Sequence, residues 1–315
     1  MFTSVKYIVA TRESPVDGLF CKGRTEKVSE RTVNFVSDSD SVLAGRILIV
    51  AFEGWNDAGE AASTVARMII DQMNLQAVLE TDPEIYFDFQ FNRPMMAENE
   101  GVRTLVWPSI TLYGPVDTGS TYVLLGTEPS RNWRSFSDEI VNAILVAGIH
   151  YVIFLGAMLA DAPHTRPISI LNSSENGAMR SLFDLERSTY EGPVGILSVL
   201  ADAAESSGLP TLSIWASVPH YVHHAPSPKA VLAIVDSLER FTEISLDHGN
   251  LNDEVTEWEG NINALAADDD DMAAYIAQLE TARDTVDSPE ASGEAIAREF
   301  QRYFNTKDDR DGRER

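Results

Sequence analysis

One cysteine, Cys21, stands among 315 residues. An internal disulfide is excluded, and so is a zinc site built on cysteines. A lone thiol fits a reducing cytoplasm, which is the expected location. Basic residues are also scarce: 24 Lys and Arg face 49 Asp and Glu, a formal net charge of −25. So acidic a chain is repelled by phosphate-rich surfaces, and neither nucleic-acid nor anionic-membrane binding is expected as its main task. The opening MFTSVKYIVATRESP lacks a basic start followed by a long apolar core, so no secretory leader is expected. The longest apolar stretch, Ile140 to Ala160, is interrupted by Gly148 and His150 and flanked by Asp138, Glu139 and Asp161. It reads as a helix end, a glycine stop and a buried strand, each too short to cross a bilayer. No G-x-S-x-G elbow and no H-E-x-x-H pair occur, and Cys21 lies in an irregular N-terminal part.

What is present centres on RILIVAFEGWNDAGEAAS, Arg46 to Ser63. Arg46 to Phe52 is an Ile- and Val-rich run bounded by glycines, the pattern of a buried parallel strand. Ala61, Ala62, Val65, Ala66, Ile69, Ile70 and Met73 then follow helical spacing. Asn56 or Asp57 can cap that helix, and Glu60 in its first turn suits the helix dipole. Glu53 to Asp57 thus form a βα loop at the carboxyl end of a strand, where α/β sheets usually bind ligands. Gly54 and Gly59 have P-loop spacing, but Glu60 and Ala61 stand where Lys and Ser or Thr are needed, so a P-loop is rejected. Two readings remain for the loop: a ligand contact, or a tight turn whose glycines permit close packing, with Trp55 partly buried.

Strand-like and helical segments alternate from about residue 46 to 241. Strand-type runs include Ala77–Leu79, the aromatic alternation Ile85–Phe91, Val102–Trp107, Ile110–Tyr113, Tyr122–Leu125, Tyr151–Leu155, Ile168–Leu171 and Thr211–Ala216. Helical spacing marks 133–146, 176–185, 194–206 and 229–241. The predicted fold class is α/β, a mostly parallel twisted sheet flanked by helices, with a C-terminal helical extension. Residues 1–245 form the α/β core, of which 1–44 are irregular or a β-hairpin. Residues 246–304 form an acidic helical extension, and 305–315 a disordered tail. From Glu243 to Glu290 fourteen acidic residues face one basic residue, Arg283. Helices are expected over 251–285, broken near Asp268 to Asp271, and over Ala291 to Phe304.

Three polar loops follow core strands: Glu53–Trp55–Asn56–Asp57, Asp161–His164–Arg166, and His220–Tyr221–His223–His224. In an α/β topology they emerge on one sheet edge. An Asp161–His164 pair can serve as a general base, and Arg166 can grip a carboxylate or phosphate with two hydrogen bonds. The same residues equally make a buried structural network. Pro219 and Pro226 make the histidine-rich stretch a loop without a shared helical face, so no metal is expected, and no cofactor is implied.

FEGWNDAGEAAS at 52–63, DAPHTRP at 161–167, GPVGIL at 192–197 and SIWASVPHYVHHAPSPKA at 213–230 together resemble the proteasome-assembly-chaperone family in its bacterial, actinobacterial-type form. AYIAQLE at 274–280 and AREFQRYF at 297–304 resemble its C-terminal helices. The resemblance implies a phosphorylase- or hydrolase-like fold similar to purine nucleoside phosphorylase. It also implies a homo-oligomer, with a trimer favoured, and a protein client rather than a reaction. It assigns no catalytic residues. The alternative is a binder of nucleosides, nucleotides or phosphate, or an enzyme, using the loops after the core strands.

Overall fold

The computed structural model of the protein describes residues 43–99, 101–222 and 225–286. The expected strands within residues 1–42, the helix from Ala291, the tail, His223 and His224 lie outside the described residues.

The first strand, β1 (Ile47–Glu53), is buried along almost its whole length. Its period-two alternation sends Ile47, Ile49 and Ala51 into one core and Leu48, Val50 and Phe52 into another. Helix α1 (Ala61–Gln72) follows, then β2 (Gln76–Glu80) and the four-residue helix α2 (Pro83–Tyr86). Among the described residues strands β3 (Met95–Asn99) and β4 (Val102–Val106) pair only with each other, as a separate two-stranded sheet. Next come β5 (Ile110–Gly114), β6 (Thr121–Thr127), α3 (Trp133–Val146) and β7 (Tyr151–Ala160). After β8 (Ile170–Ser173), α4 (Gly177–Phe183) and α5 (Ile196–Ser206), the chain forms β9 (Thr211–Pro219) and α6 (Pro228–Phe241). Two helices, α7 (Leu251–Ala267) and α8 (Asp270–Val286), complete the described chain. Asp268 and Asp269 separate them, the Asp269 carboxylate accepting from the N–H groups of Asp271 and Met272.

Among the described residues the main sheet has seven strands in the order β2-β5-β6-β1-β7-β9-β8. Only the central four, β6, β1, β7 and β9, are parallel. The pairings β2–β5, β5–β6 and β8–β9 are antiparallel. The expectation of a mostly parallel sheet is therefore corrected to a mixed one. The short link from β5 to β6, residues 115–120, leaves no room for the crossover of a dozen or more residues that a parallel pair needs. Helices α1 and α6 cover one face and α3 and α5 the other. The aromatic run 85–91 is not a strand either. Asp82 caps Pro83–Tyr86 by accepting from the Glu84 N–H, and Tyr86 and Phe87 are buried against the second core. Among the described residues no helix is long and apolar enough to cross a membrane.

Candidate functional site

Strands β1, β7 and β9 lie side by side and run parallel, so the turns that leave them open on one rim. Behind β1 the chain turns through Gly54, at φ +108°, and Gly59, at φ +63°. Glycine adopts this left-handed backbone without the steric cost of a Cβ. A Cβ on Gly59 would lie 2.7 Å from Cβ of Ser227, so the glycine also lets the turn press against the start of α6.

Asp57 is buried in this turn. Its Oδ1 accepts from the N–H groups of Ala62 and Ser63, at 2.8 and 3.1 Å, satisfying donors that the first turn of α1 leaves open. Burial raises its pKa above the ordinary aspartate value; the bonds from Ser63 and Ala62 and the charge of Arg67 pull the other way. Asn56 is also buried. Its side chain donates to Glu128 Oε1 at 3.2 Å, and that oxygen accepts the N–H of Ile196, the first residue of α5, at 2.8 Å. The Asn56 carbonyl accepts the Ala157 N–H at 2.8 Å, stitching the turn to β7. Glu53 is paired with Arg67 and accepts from the Thr127 hydroxyl at 3.2 Å. Trp55, partly buried in the tight-turn reading of the loop, is 64% exposed.

The turns behind β7 and β9 meet each other. His164 is fully buried. Its backbone N–H donates to the Tyr221 hydroxyl at 2.7 Å, and its Nδ1 lies 2.9 Å from the same oxygen. Its Nε2 lies 3.1 Å from Asn263 Oδ1 on α7. An amide oxygen only accepts, so Nε2 carries the hydrogen and Nδ1 accepts from the tyrosine. That fixes one neutral tautomer. Burial lowers the His164 pKa, aided by the Lys229 charge and opposed by the Asn263 bond and by Glu259 and Glu280. Burial likewise pushes the Tyr221 hydroxyl up to about 12.

Arg166 reaches α8. Its Nε and Nη2 donate to the two oxygens of Asp284 at 2.7 and 2.8 Å, a bidentate pair, and its Nη1 lies 3.3 Å from Glu280. Thr165 donates to that same Glu280 oxygen. Lys229 donates to the His164 carbonyl at 2.6 Å and pairs with Glu259 on α7. Asp161 Oδ1 lies 3.3 Å from both the Tyr275 hydroxyl and His220 Nδ1. The rings of His220, Tyr221 and Tyr275 meet edge to face, and Trp258 packs in the same way against His164.

The rim residues therefore form two networks. Glu53, Asn56 and Asp57 organise the starts of α1 and α5. Asp161, His164, Arg166, His220 and Tyr221 are gathered under α7 and α8. Sequence reasoning missed the residues that close the second network: Lys229, Trp258, Glu259, Asn263, Tyr275, Glu280 and Asp284. Its only trace was the spacing of Glu259 with Asn263 and Glu280 with Asp284, each four apart and so on one helix face. Both ring nitrogens of His164 and the Tyr221 hydroxyl are already bonded within the protein. A general base must instead reach the proton it removes.

The PAC2 family profile matches residues 51–266. The chain belongs to the PAC2 family. A PAC2 family protein from Streptomyces avermitilis is 37% identical, over 73% of this chain and 99% of that one, with a TM-score of 0.67. A proteasome-assembly chaperone homologue from Mycobacterium tuberculosis is 35% identical over the same shares, with a TM-score of 0.66. An archaeal proteasome-assembly chaperone homologue from Pyrococcus furiosus, 17% identical over 78% of this chain and 96% of that one, shares the PAC2 fold at a TM-score of 0.51. No curated protein matches this PAC2 chain.

Proposed function

We propose that this PAC2 protein is a non-catalytic assembly or interaction factor of the proteasome-assembly-chaperone kind, acting on a protein client in the cytoplasm. The observation that carries this reading is the closed rim. The polar groups that would do chemistry behind β7 and β9 are bonded to one another and to α7 and α8. The Mycobacterium tuberculosis relative, a proteasome-assembly chaperone homologue, supports the same direction. Trp55 is the exposed aromatic of the rim, the residue type that most often anchors protein contacts. The remaining rim residues hold its loops in place. Like the family it resembles, the protein works as a homo-oligomer, with a trimer favoured. The test is crosslinking and co-purification from the native cell. A protein client is expected with the wild type and several-fold less of it with Trp55→Ala. Recovery of the chain alone, together with turnover of a small molecule, overturns the proposal.

A second reading, a phosphorylase-like binder of nucleosides, nucleotides or phosphate, is favoured by an open groove of about 820 Å3 beside β1 and β6. Arg67, Arg93, Thr111, Tyr113 and Thr127 are among its lining residues. A ligand that prefers the folded state raises its melting temperature. A screen of those compounds that moves the melting temperature by several degrees favours this reading, and a flat screen removes it.

A further inference from the structure

Among the described residues the β3–β4 ribbon stands apart from the seven-stranded sheet, and its strands pair only with each other. An isolated two-stranded hairpin is at best marginal in water. Its register pairs Met95 with Val106 on one face and Met96 with Leu105 on the other, since successive residues point to opposite sides. Both faces thus carry large apolar side chains, and both are exposed. Met95, Met96, Val102, Leu105, Val106 and Trp107 range from 43% to 68% exposed, and the neighbouring Phe91 reaches 81%. A ribbon meant only to lie on its own domain needs one apolar face, not two.

We infer that this ribbon is the self-association surface of the protein, and that a second copy of the same chain covers it. The inference takes up the self-association proposed above and assigns it a place. Three observations select a copy as the occupant. Counted over both faces together with Trp107 and Phe91, the exposed side chains offer on the order of 800 Å2, one partner's share of a standard-size interface when both faces are covered. The segment 89–110 is electrically balanced, with Arg93 and Arg103 against Glu98 and Glu100, inside a chain of −25. It is thus a place where two such acidic molecules approach with little mutual repulsion. Finally, Glu98 and Arg103 are opposite each other on the Met96–Leu105 face, so that face carries both signs and can pair charges with a neighbouring copy. Methionine, aromatic and arginine side chains without lysine are also the composition of interface cores.

The test is sedimentation and light scattering of the full-length chain from about 0.1 to 100 μM, with circular dichroism to check folding. The wild type is expected to form a discrete oligomer. Met96→Glu and Leu105→Glu are expected to raise the concentration for half-dissociation at least tenfold with unchanged circular dichroism. Val146→Asp, at the exposed end of α3, is expected to leave it unchanged. Hydrogen exchange on the wild type gives a reading without mutation: amides of 95–106 slow as the protein is concentrated. An oligomer insensitive to both ribbon variants, with exchange independent of concentration, overturns this surface and leaves self-association standing. A wild type that stays monomeric throughout overturns both, and assigns the ribbon to a different partner or to another segment of the chain.

Discussion

Asp57 and His164 are both buried ionisable side chains, yet burial moves them in opposite senses. For Asp57 burial favours the protonated form, so the folded state holds its proton more tightly than the unfolded chain does. Its capping bonds need only an acceptor oxygen. Asp57→Asn keeps that oxygen without a buried charge, and its melting temperature at pH 7 should equal or exceed the wild type. Asp57→Ala leaves the Ala62 and Ser63 donors open and should cost about 1 kcal/mol in urea unfolding. For His164 burial favours the neutral ring. Below the ordinary value of 6.5 the unfolded chain takes up a proton that the folded chain refuses. The stability tied to His164 is therefore present above pH 6.5 and is lost as pH falls from there through the lowered folded value. Thermal melts between pH 7.5 and 5.5 should show this loss, and His164→Gln should flatten it. The position of His164 after a core strand was legible in the sequence. Its engagement was not, because Asn263 lies 99 residues away and no local pattern links them.

Helix α8 is held differently from the helices that cover the sheet. Helices α1, α3, α5 and α6 bury apolar stripes, and their spacing announced them. On α8, Ile276 is buried, while much of the contact runs through Arg166, Thr165 and Ser169 to Glu280, Asp284 and Arg283. Partly exposed ion pairs are individually weak and screened by salt. Arg166→Ala should therefore speed amide exchange across Asp270–Val286 at least several-fold, while exchange in β1 and β7 stays at wild-type rates. Salt should reproduce part of that effect in the wild type. Element identity was readable where one buried strand meets one amphipathic helix, as in β1 and α1. It failed at 85–91, where aromatic alternation outweighed the stronger local signal, Asp82 capping a helix that starts on Pro83. Strand direction was encoded not in the strands but in the lengths of the links between them, as from β5 to β6.

On the scale of the whole molecule, charge decides between opposing effects. Between 10 mM and 1 M salt the screening length falls from about 30 Å to about 3 Å. That weakens the few rim ion pairs but also relieves the self-repulsion of 25 excess negative charges. Exposed pairs contribute little each, so relief should win. The melting temperature should rise with salt even as α8 loosens, and a falling one would place the Arg166 cluster at the centre of global stability. The uneven charge was plain in the sequence, and so was the acidic C-terminal region. That its carboxylates would turn inward onto Arg166 and Lys229 was not, since an acidic helix face ordinarily points to solvent.

The clasp over His164 is also a matter of timing. Arg166 and Asp284 are 118 residues apart, and a chain is made from its amino end. At typical synthesis rates the strands of the sheet precede their clasp by on the order of ten seconds. For that interval the His164–Tyr221 corner has no α8 over it, and the making of α8 closes it.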